Sequence, residues 1–332
     1  MNGLPMKRYI GCDLGGTNLR AAIVDIETGA VLHHSNIPTL AREGHEAVMQ
    51  RMADLFVQIV QTARLEMDDI GGIGIGVPGV LDLKKGETLF LPNLPGTWPH
   101  VPLRDTISNL TGLPVAILND VRSITYGEWK FGAGRGVNSV AVLAIGTGVG
   151  GGLVINGQLY LGAGGTAGEL GHMVIDYNGP RCGCGNYGCL EVYASGPAIA
   201  AMGMKALAQG LTTKISELCE YNLNRITPEL IARAAESGDE IASDIYEKAG
   251  FYLGVAASSV CAAVAPQRII LGGGVSHAGY LLLDPMKRTM LERVHTMPVE
   301  KVEVVLAQLG DNAGVIGAAC WAESSSRHGN PV

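Results

Sequence analysis

The sequence predicts an α/β protein of two lobes, each a mixed sheet with helices on its faces. Three observations carry this expectation. The chain has 332 residues, more than one hydrophobic core usually supports, so two domains are the default. Strand-like and helix-like stretches alternate along it. A strand–glycine turn–strand motif opens the chain as DLGGTNLRAAIVD and recurs near its middle as AIGTGVGGGLVI, which suggests two related halves.

Taken in order, KRYIGCDLGG and NLRAAIVDI are short runs rich in β-branched residues, and AVLHHSNIPT continues them. HEAVMQRMADLFVQIVQTARLE places Val48, Met52, Leu55, Phe56, Ile59 and Ala63 at helical spacing. IGGIGIGVPGVLD and LPVAILND read as buried strands on either side of a short helix, DTISNLTG. The resulting order βββαβαβ, halting at Asp120, fits a mixed sheet. After the helix-like SITYGEWKFG comes the second motif, SVAVLAIGTGVGGGLVINGQLYLG, and then AGELGH, whose pattern allows a helical turn. Residues 193–263 read as mostly helical. PQRIILGGGV is a strand ending in glycines, VEKVEVVLAQLG a late strand, and NAGVIGAACWAES a closing helix.

Composition excludes several classes. With 47% apolar and 17% charged residues, and no apolar run of bilayer length, a membrane partner is not expected. Residues 1–8 carry no signal-peptide pattern, so a reducing cytoplasm is the expected compartment. A net charge of −7 argues against nucleic acid as a partner. Four of the seven cysteines, Cys12, Cys219, Cys261 and Cys320, are scattered singly, which argues against a disulfide framework. The other three crowd into CGCGNYGC, ten residues after a histidine. His172, Cys182, Cys184 and Cys189 supply one nitrogen and three sulfurs, the set expected of a closed, structural zinc site. Glycines 183, 185 and 188 would let the loop wrap one ion; the alternative is free thiols in a glycine turn. Such a metal would pin the nearby carboxylates Glu169 and Glu191 without doing chemistry.

Glycine, at 47 residues, is about twice its usual share, and its position after strand-like runs suggests backbone brought close to a ligand. Dinucleotide-type strings at Gly146/Gly148/Gly151 and Gly74/Gly76/Gly79 do not lead into helices, and no P-loop string occurs. Two strand–turn–strand loops remain. Gly15, Gly16, Thr17 and Asn18 in one, and Gly146, Thr147 and Gly148 in the other, can aim N–H groups at phosphate. Asp13 stands where it could hold a divalent cation through water. The competing explanation is a pair of tight hairpins that need glycine for positive φ.

Together DLGGTNLRAAIVD, IGTGVGGGLVINGQL, ILGGGV and the strand ending at Asp120 resemble the phosphate-1, phosphate-2, adenosine and catalytic segments of the sugar kinase, Hsp70 and actin superfamily. AGELGH with CGCGNYGCLE is similar to the ROK family within it, and to that family's glucokinases; the resemblance runs from about Tyr9 to about Trp321. It implies a two-lobed actin-like (ribonuclease H-like) ATPase fold. Residues 1–120, completed by the C-terminal helix 312–328, would form the smaller lobe; residues 121–311, with the zinc loop and a dimerisation surface, would form the larger. It also implies ATP and Mg²⁺, with Gly272, Gly273 and Gly274 at the adenosine. Asp120 would take the proton of the 6-hydroxyl of glucose, and Asn93, Asn119, Glu169, His172 and Glu191 would hold the sugar. On the residues alone, Asn119–Asp120 after a strand is also a turn or helix cap. Two departures from the family pattern, Arg122 in NDVR and an extra Thr97 in PNLPGTW, leave fructose, mannose, allose or an N-acetylhexosamine as alternatives. Some ROK proteins are sugar-responsive regulators with an N-terminal helix-turn-helix, for which the residues before Asp13 are too few. A homodimer or homotetramer is implied by the resemblance alone.

Overall fold

The computed structural model of the protein describes residues 7–91, 94–96 and 98–328; Asn93 and Thr97 lie outside them. The chain forms two compact units. Unit 1 comprises Met1–Gly136, Leu159–Gly168 and Gln308–Val332, and unit 2 comprises Val137–Gln158 and Glu169–Ala307.

In unit 1 the chain runs β1 (Arg8–Leu14), β2 (Asn18–Asp25), β3 (Val31–Pro38), α1 (His45–Thr62), β4 (Ile73–Val77), β5 (Val80–Asp82), β6 (Glu87–Phe90), α2 (Leu103–Thr111), β7 (Val115–Asn119) and α3 (Asp120–Phe131). The apolar run expected as one strand at 73–82 divides into β4 and β5, because Gly79 turns the chain at φ +89°. Five strands pair in the order β3-β2-β1-β4-β7. The first three are antiparallel, whereas β4 is parallel to both β1 and β7. The C-terminal helix Ala313–His328 packs on this sheet and on α3.

That packing accounts for several glycines the sequence left open to a ligand. A Cβ on Gly11 or Gly74 would lie 1.8 Å from the carbonyl oxygens of Val315 and Ala318, and one on Gly317 would lie 1.7 Å from Ser123 O. Helix and sheet therefore meet backbone to backbone, which only glycine permits.

Unit 2 repeats the plan with β8 (Val140–Ile145), β9 (Val149–Ile155), β10 (Gln158–Leu159), α4 (Glu191–Ala194), α5 (Gly196–Ala208), α6 (Lys214–Leu218), α7 (Pro228–Glu236), α8 (Glu240–Val264), β11 (Arg268–Gly272), α9 (Tyr280–Arg293) and β12 (Glu303–Leu306). Its sheet order is β10-β9-β8-β11-β12, with β8/β9 antiparallel and β11 parallel to β8 and β12. The order is that of unit 1 transposed, so the weak similarity of the two glycine motifs reflects a repeated topology.

The unit boundary expected at residue 120 falls elsewhere, because buried charges on α3 hold distant segments to it. Arg122, 2% exposed, donates to the carbonyls of Thr166 and Ala167. Glu128, fully buried, accepts from the N–H groups of Ala133, Gln308 and Leu309 at 2.8–3.1 Å. Segments 159–168 and 308–309 thus belong with α3. Because the helix–strand contact has no spare room, Gly74→Ala should destabilise the protein by about 1–3 kcal/mol. A urea transition at the wild-type midpoint would contradict so close an approach.

Candidate active site and metal centre

In unit 1 the β1–β2 turn is shaped by Thr39, a buried residue at the end of β3 that sequence reasoning missed. Its N–H donates to Thr17 O (2.8 Å) and its hydroxyl to Gly15 O (2.6 Å). With those carbonyls taken, the N–H groups of Gly16 and Thr17 meet no acceptor among the described residues. None of Gly15, Gly16, Gly146 and Gly148 has positive φ, so positive φ does not explain them, although the hairpin backbone itself leaves no room at Gly15, where a Cβ would lie 2.8 Å from Asn18 O.

Asp13 ends β1 beside this turn. Burial, reinforced by the charges of Asp120 and Asp311 and opposed by Arg20 across the hairpin, raises its pKa from 3.8 to about 6. At the carboxyl end of β7, Asn119 caps α3: its Oδ1 accepts from Val121 N (3.0 Å) and Arg122 N (3.3 Å). The helix-cap reading of this pair is therefore correct for Asn119. Its Nδ2 donates to Gly79 O at 3.1 Å, and Arg122 Nη1 donates to its Oδ1 at 2.8 Å. Asp120 is the first residue of α3, half-buried, where the positive helix end favours a carboxylate. Asp13 and Asp120 thus sit at the carboxyl ends of β1 and β7, on the same edge of the sheet, near enough to feel each other's charge.

In unit 2 the β8–β9 turn has the same character. Gly146 O accepts from Gly196 N at 2.8 Å, and Thr147 and Gly148 direct their N–H groups at no acceptor among the described residues. Gly146 has open space where a Cβ would be, whereas a Cβ on Gly148 would lie 2.4 Å from Glu191 Oε2 and displace that carboxylate. Glu191 accepts from Val149 N at 3.0 Å and turns its other oxygen toward Cys182 Sγ at 3.7 Å. Of the third glycine group, Gly273 packs on Ile145 O with φ +81°, Gly272 contacts Ala307, and Gly274 is open. Beside Gly274 lies a cavity of about 170 Å³ bordered by Glu229, Arg233, Tyr246 and His277. No local signal in α7 announced it, since its lining depends on α7 meeting the end of β11.

The turn expected to be helical at AGELGH is a 3₁₀ turn, Leu170–His172, with exposed Glu169 at its start. Gly171 packs on the β9 backbone there, where a Cβ would lie 1.7 Å from Val149 O. A short ribbon follows, through bridges Val174–Cys189 and Arg181–Tyr187, and brings the cysteines back to His172. The ligand atoms of His172, Cys182, Cys184 and Cys189 all lie within 4.8 Å of one another. Cys182 Sγ is 3.7 Å from His172 Nδ1, and Cys184 Sγ is 3.7 Å from Cys189 Sγ. The edges of a tetrahedron with metal–ligand bonds of about 2.0–2.3 Å are about 3.5–3.8 Å, so this donor set fits zinc.

The raised pKa of Asp13 makes a stability prediction. Its folded form binds a proton more readily than its unfolded form, so its contribution is full below about pH 4 and is lost as pH rises through about 6. Asp13→Asn should therefore stabilise the nucleotide-free protein by about 2–3 kcal/mol at pH 7.5 and by nothing near pH 4. Paired thermal melts at the two pH values check the sign.

The ROK family pattern matches residues 9–325. The chain is 35% identical over 319 residues to a glucokinase of Thermotoga maritima, covering 95% of this chain and 97% of that one. It is 31% identical to a xylose repressor of Bacillus subtilis, covering 93% of this chain and 75% of the repressor. A ROK family glucokinase from Streptomyces griseus, solved in complex with glucose and AMPPNP, has a TM-score of 0.79 at 32% identity, covering 94% of this chain and 98% of that one. The repeated sheets, the two open turns and the cysteine–histidine cluster all fall within the matched span, and the chain belongs to the ROK family.

Proposed function

We propose that the protein transfers the γ-phosphoryl group of ATP to the 6-hydroxyl of glucose. The observation that carries this is the shared sheet edge in unit 1. A candidate base, Asp120, and a candidate cation-holding carboxylate, Asp13, stand at the ends of β7 and β1, beside a turn in which the N–H groups of Gly16 and Thr17 meet no acceptor among the described residues. The resemblance to glucokinases, one of them solved with glucose and AMPPNP, supports glucose as the acceptor.

On this reading phosphoryl transfer needs positioning more than covalent help. In unit 1 the N–H groups of Gly16 and Thr17 are available to phosphate oxygens; in unit 2 those of Thr147 and Gly148 are, and the cavity beside Gly274 is available to the nucleoside. The oxygen of the sugar 6-hydroxyl attacks the γ-phosphorus in line as the bond to the β-phosphate oxygen breaks and ADP departs. Asp120 accepts the hydroxyl proton. Asp13 would hold Mg²⁺ through water, and that ion would neutralise charge on the phosphates. Within unit 1 Asn119 is assigned to sugar hydroxyls, and within unit 2 Glu169 and Glu191 are, on the family resemblance; Asn93 is assigned the same duty from sequence alone. His172 directs Nδ1 to the sulfur cluster, which leaves its Nε2 for the sugar. Zinc at that cluster would fix the start of α4, and so Glu191, without touching the reacting atoms.

One observation favours a second reading, a sugar-sensing regulator: the likeness to xylose repressors. Formation of glucose 6-phosphate from ATP distinguishes the two. Asp120→Asn should lower kcat by about 10²- to 10⁴-fold while glucose still binds in calorimetry; wild-type turnover by the variant would remove Asp120 from the chemistry. Elemental analysis should find one zinc per chain. Cys184→Ser should abolish it and raise glucose KM at least about tenfold, with a smaller change for ATP. Full zinc content in that variant would contradict the assignment.

A further inference from the structure

Resting on the kinase reading above, we propose that Arg122 is a positioning residue that locks the amide of Asn119 and the 161–168 loop into one unit, and so sets how tightly and how selectively the sugar is held. Arg122 as a residue is 2% exposed. It donates from Nη1 to Asn119 Oδ1 (2.8 Å), from Nε to Ala167 O (3.1 Å), and from Nη2 to Thr166 O and Ala167 O (both 2.9 Å). A buried charge is tolerable only when hydrogen-bonded, and the fork of arginine reaches both targets at once as a lysine could not.

Two consequences follow from these contacts. Asn119 Oδ1 receives three donors, two backbone N–H groups and Nη1, so the amide cannot exchange its oxygen and nitrogen. Its Nδ2 gives one hydrogen to Gly79 O and meets no second acceptor among the described residues, which leaves the other for a sugar oxygen. Position 119 is thereby a committed donor. The loop, for its part, has no strand or helix from Gly162 to Gly168, and Gly162, Gly165 and Gly168 sit at φ +68°, +74° and +92°. It is closed by Ala167 N to Leu161 O at 3.0 Å and by Arg122, and it runs in sequence directly into Glu169. A segment so rich in glycine loses much conformational freedom on ordering, and the guanidinium offsets that loss. Discrimination among epimers requires such fixed donors, because a misplaced hydroxyl then leaves a buried group unpaired.

The test compares wild type, Arg122→Gln and Arg122→Lys in steady-state assays on glucose, mannose and allose, and by hydrogen exchange at the Ala167 amide in the ligand-free protein. A contact made equally in ground and transition states changes KM rather than kcat. Arg122→Gln should raise glucose KM about tenfold or more, lower kcat by less than about threefold, narrow the glucose preference and leave ATP KM within about twofold. Arg122→Lys should recover part of the loss, and Ala167 exchange should quicken in the same order. Glucose KM and epimer ratios within twofold of wild type in both variants overturn the proposal, as does failure of both to fold, which assigns Arg122 to stability alone. A wild type that phosphorylates no hexose sinks the kinase reading and not the clamp. Slow Ala167 exchange retained in Arg122→Gln sinks the clamp whatever the wild type does.

Discussion

Two charges on one helix, Arg122 and Glu128, are removed from water, and the way they are compensated organises what surrounds the candidate base. Each is met by peptide dipoles: carbonyls of Thr166 and Ala167 for the cation, N–H groups of Ala133, Gln308 and Leu309 for the anion. Losing those partners would strand a buried charge at a cost of several kcal/mol. Segments far apart in sequence are therefore held to α3, and Asn119 and Asp120 occupy the end of a helix with little freedom to shift.

The glycines divide by the same physics into two groups. Gly11, Gly74 and Gly317 are forced by backbone packed on backbone, Gly273 by a neighbouring strand as well as its positive φ. Gly146 and Gly274 have neither neighbours nor positive φ. Nothing inside the protein demands glycine there, which is the condition expected where a ligand comes close to the main chain.

Electrostatics adds a cost at the same place. Partial burial, and then the neighbouring charge of Asp120, disfavour the charged form of Asp13 more than Arg20 relieves it. In unit 2 the sulfur cluster and the β8–β9 turn share Glu191, whose oxygens face Cys182 and Val149 N. A metal there would act on that carboxylate, and through it on the backbone at Val149.

Much was legible before any coordinates because it is local. Alternation of β-branched residues marked the hairpins, the run to Asp120 marked β7, and the C-x-C-x₄-C spacing after His172 marked the cluster, since short covalent spans leave few ways to arrange their side chains. What tertiary structure alone decided is long-range: Gly11 against Val315, Arg122 on a loop forty-odd residues away, Thr39 bracing the first turn, and α7 closing the cavity at Gly274. Local pattern records which face of an element is apolar and not which distant backbone will meet it. Partners for buried charges and for bare glycine surfaces are chosen only when the whole chain has packed.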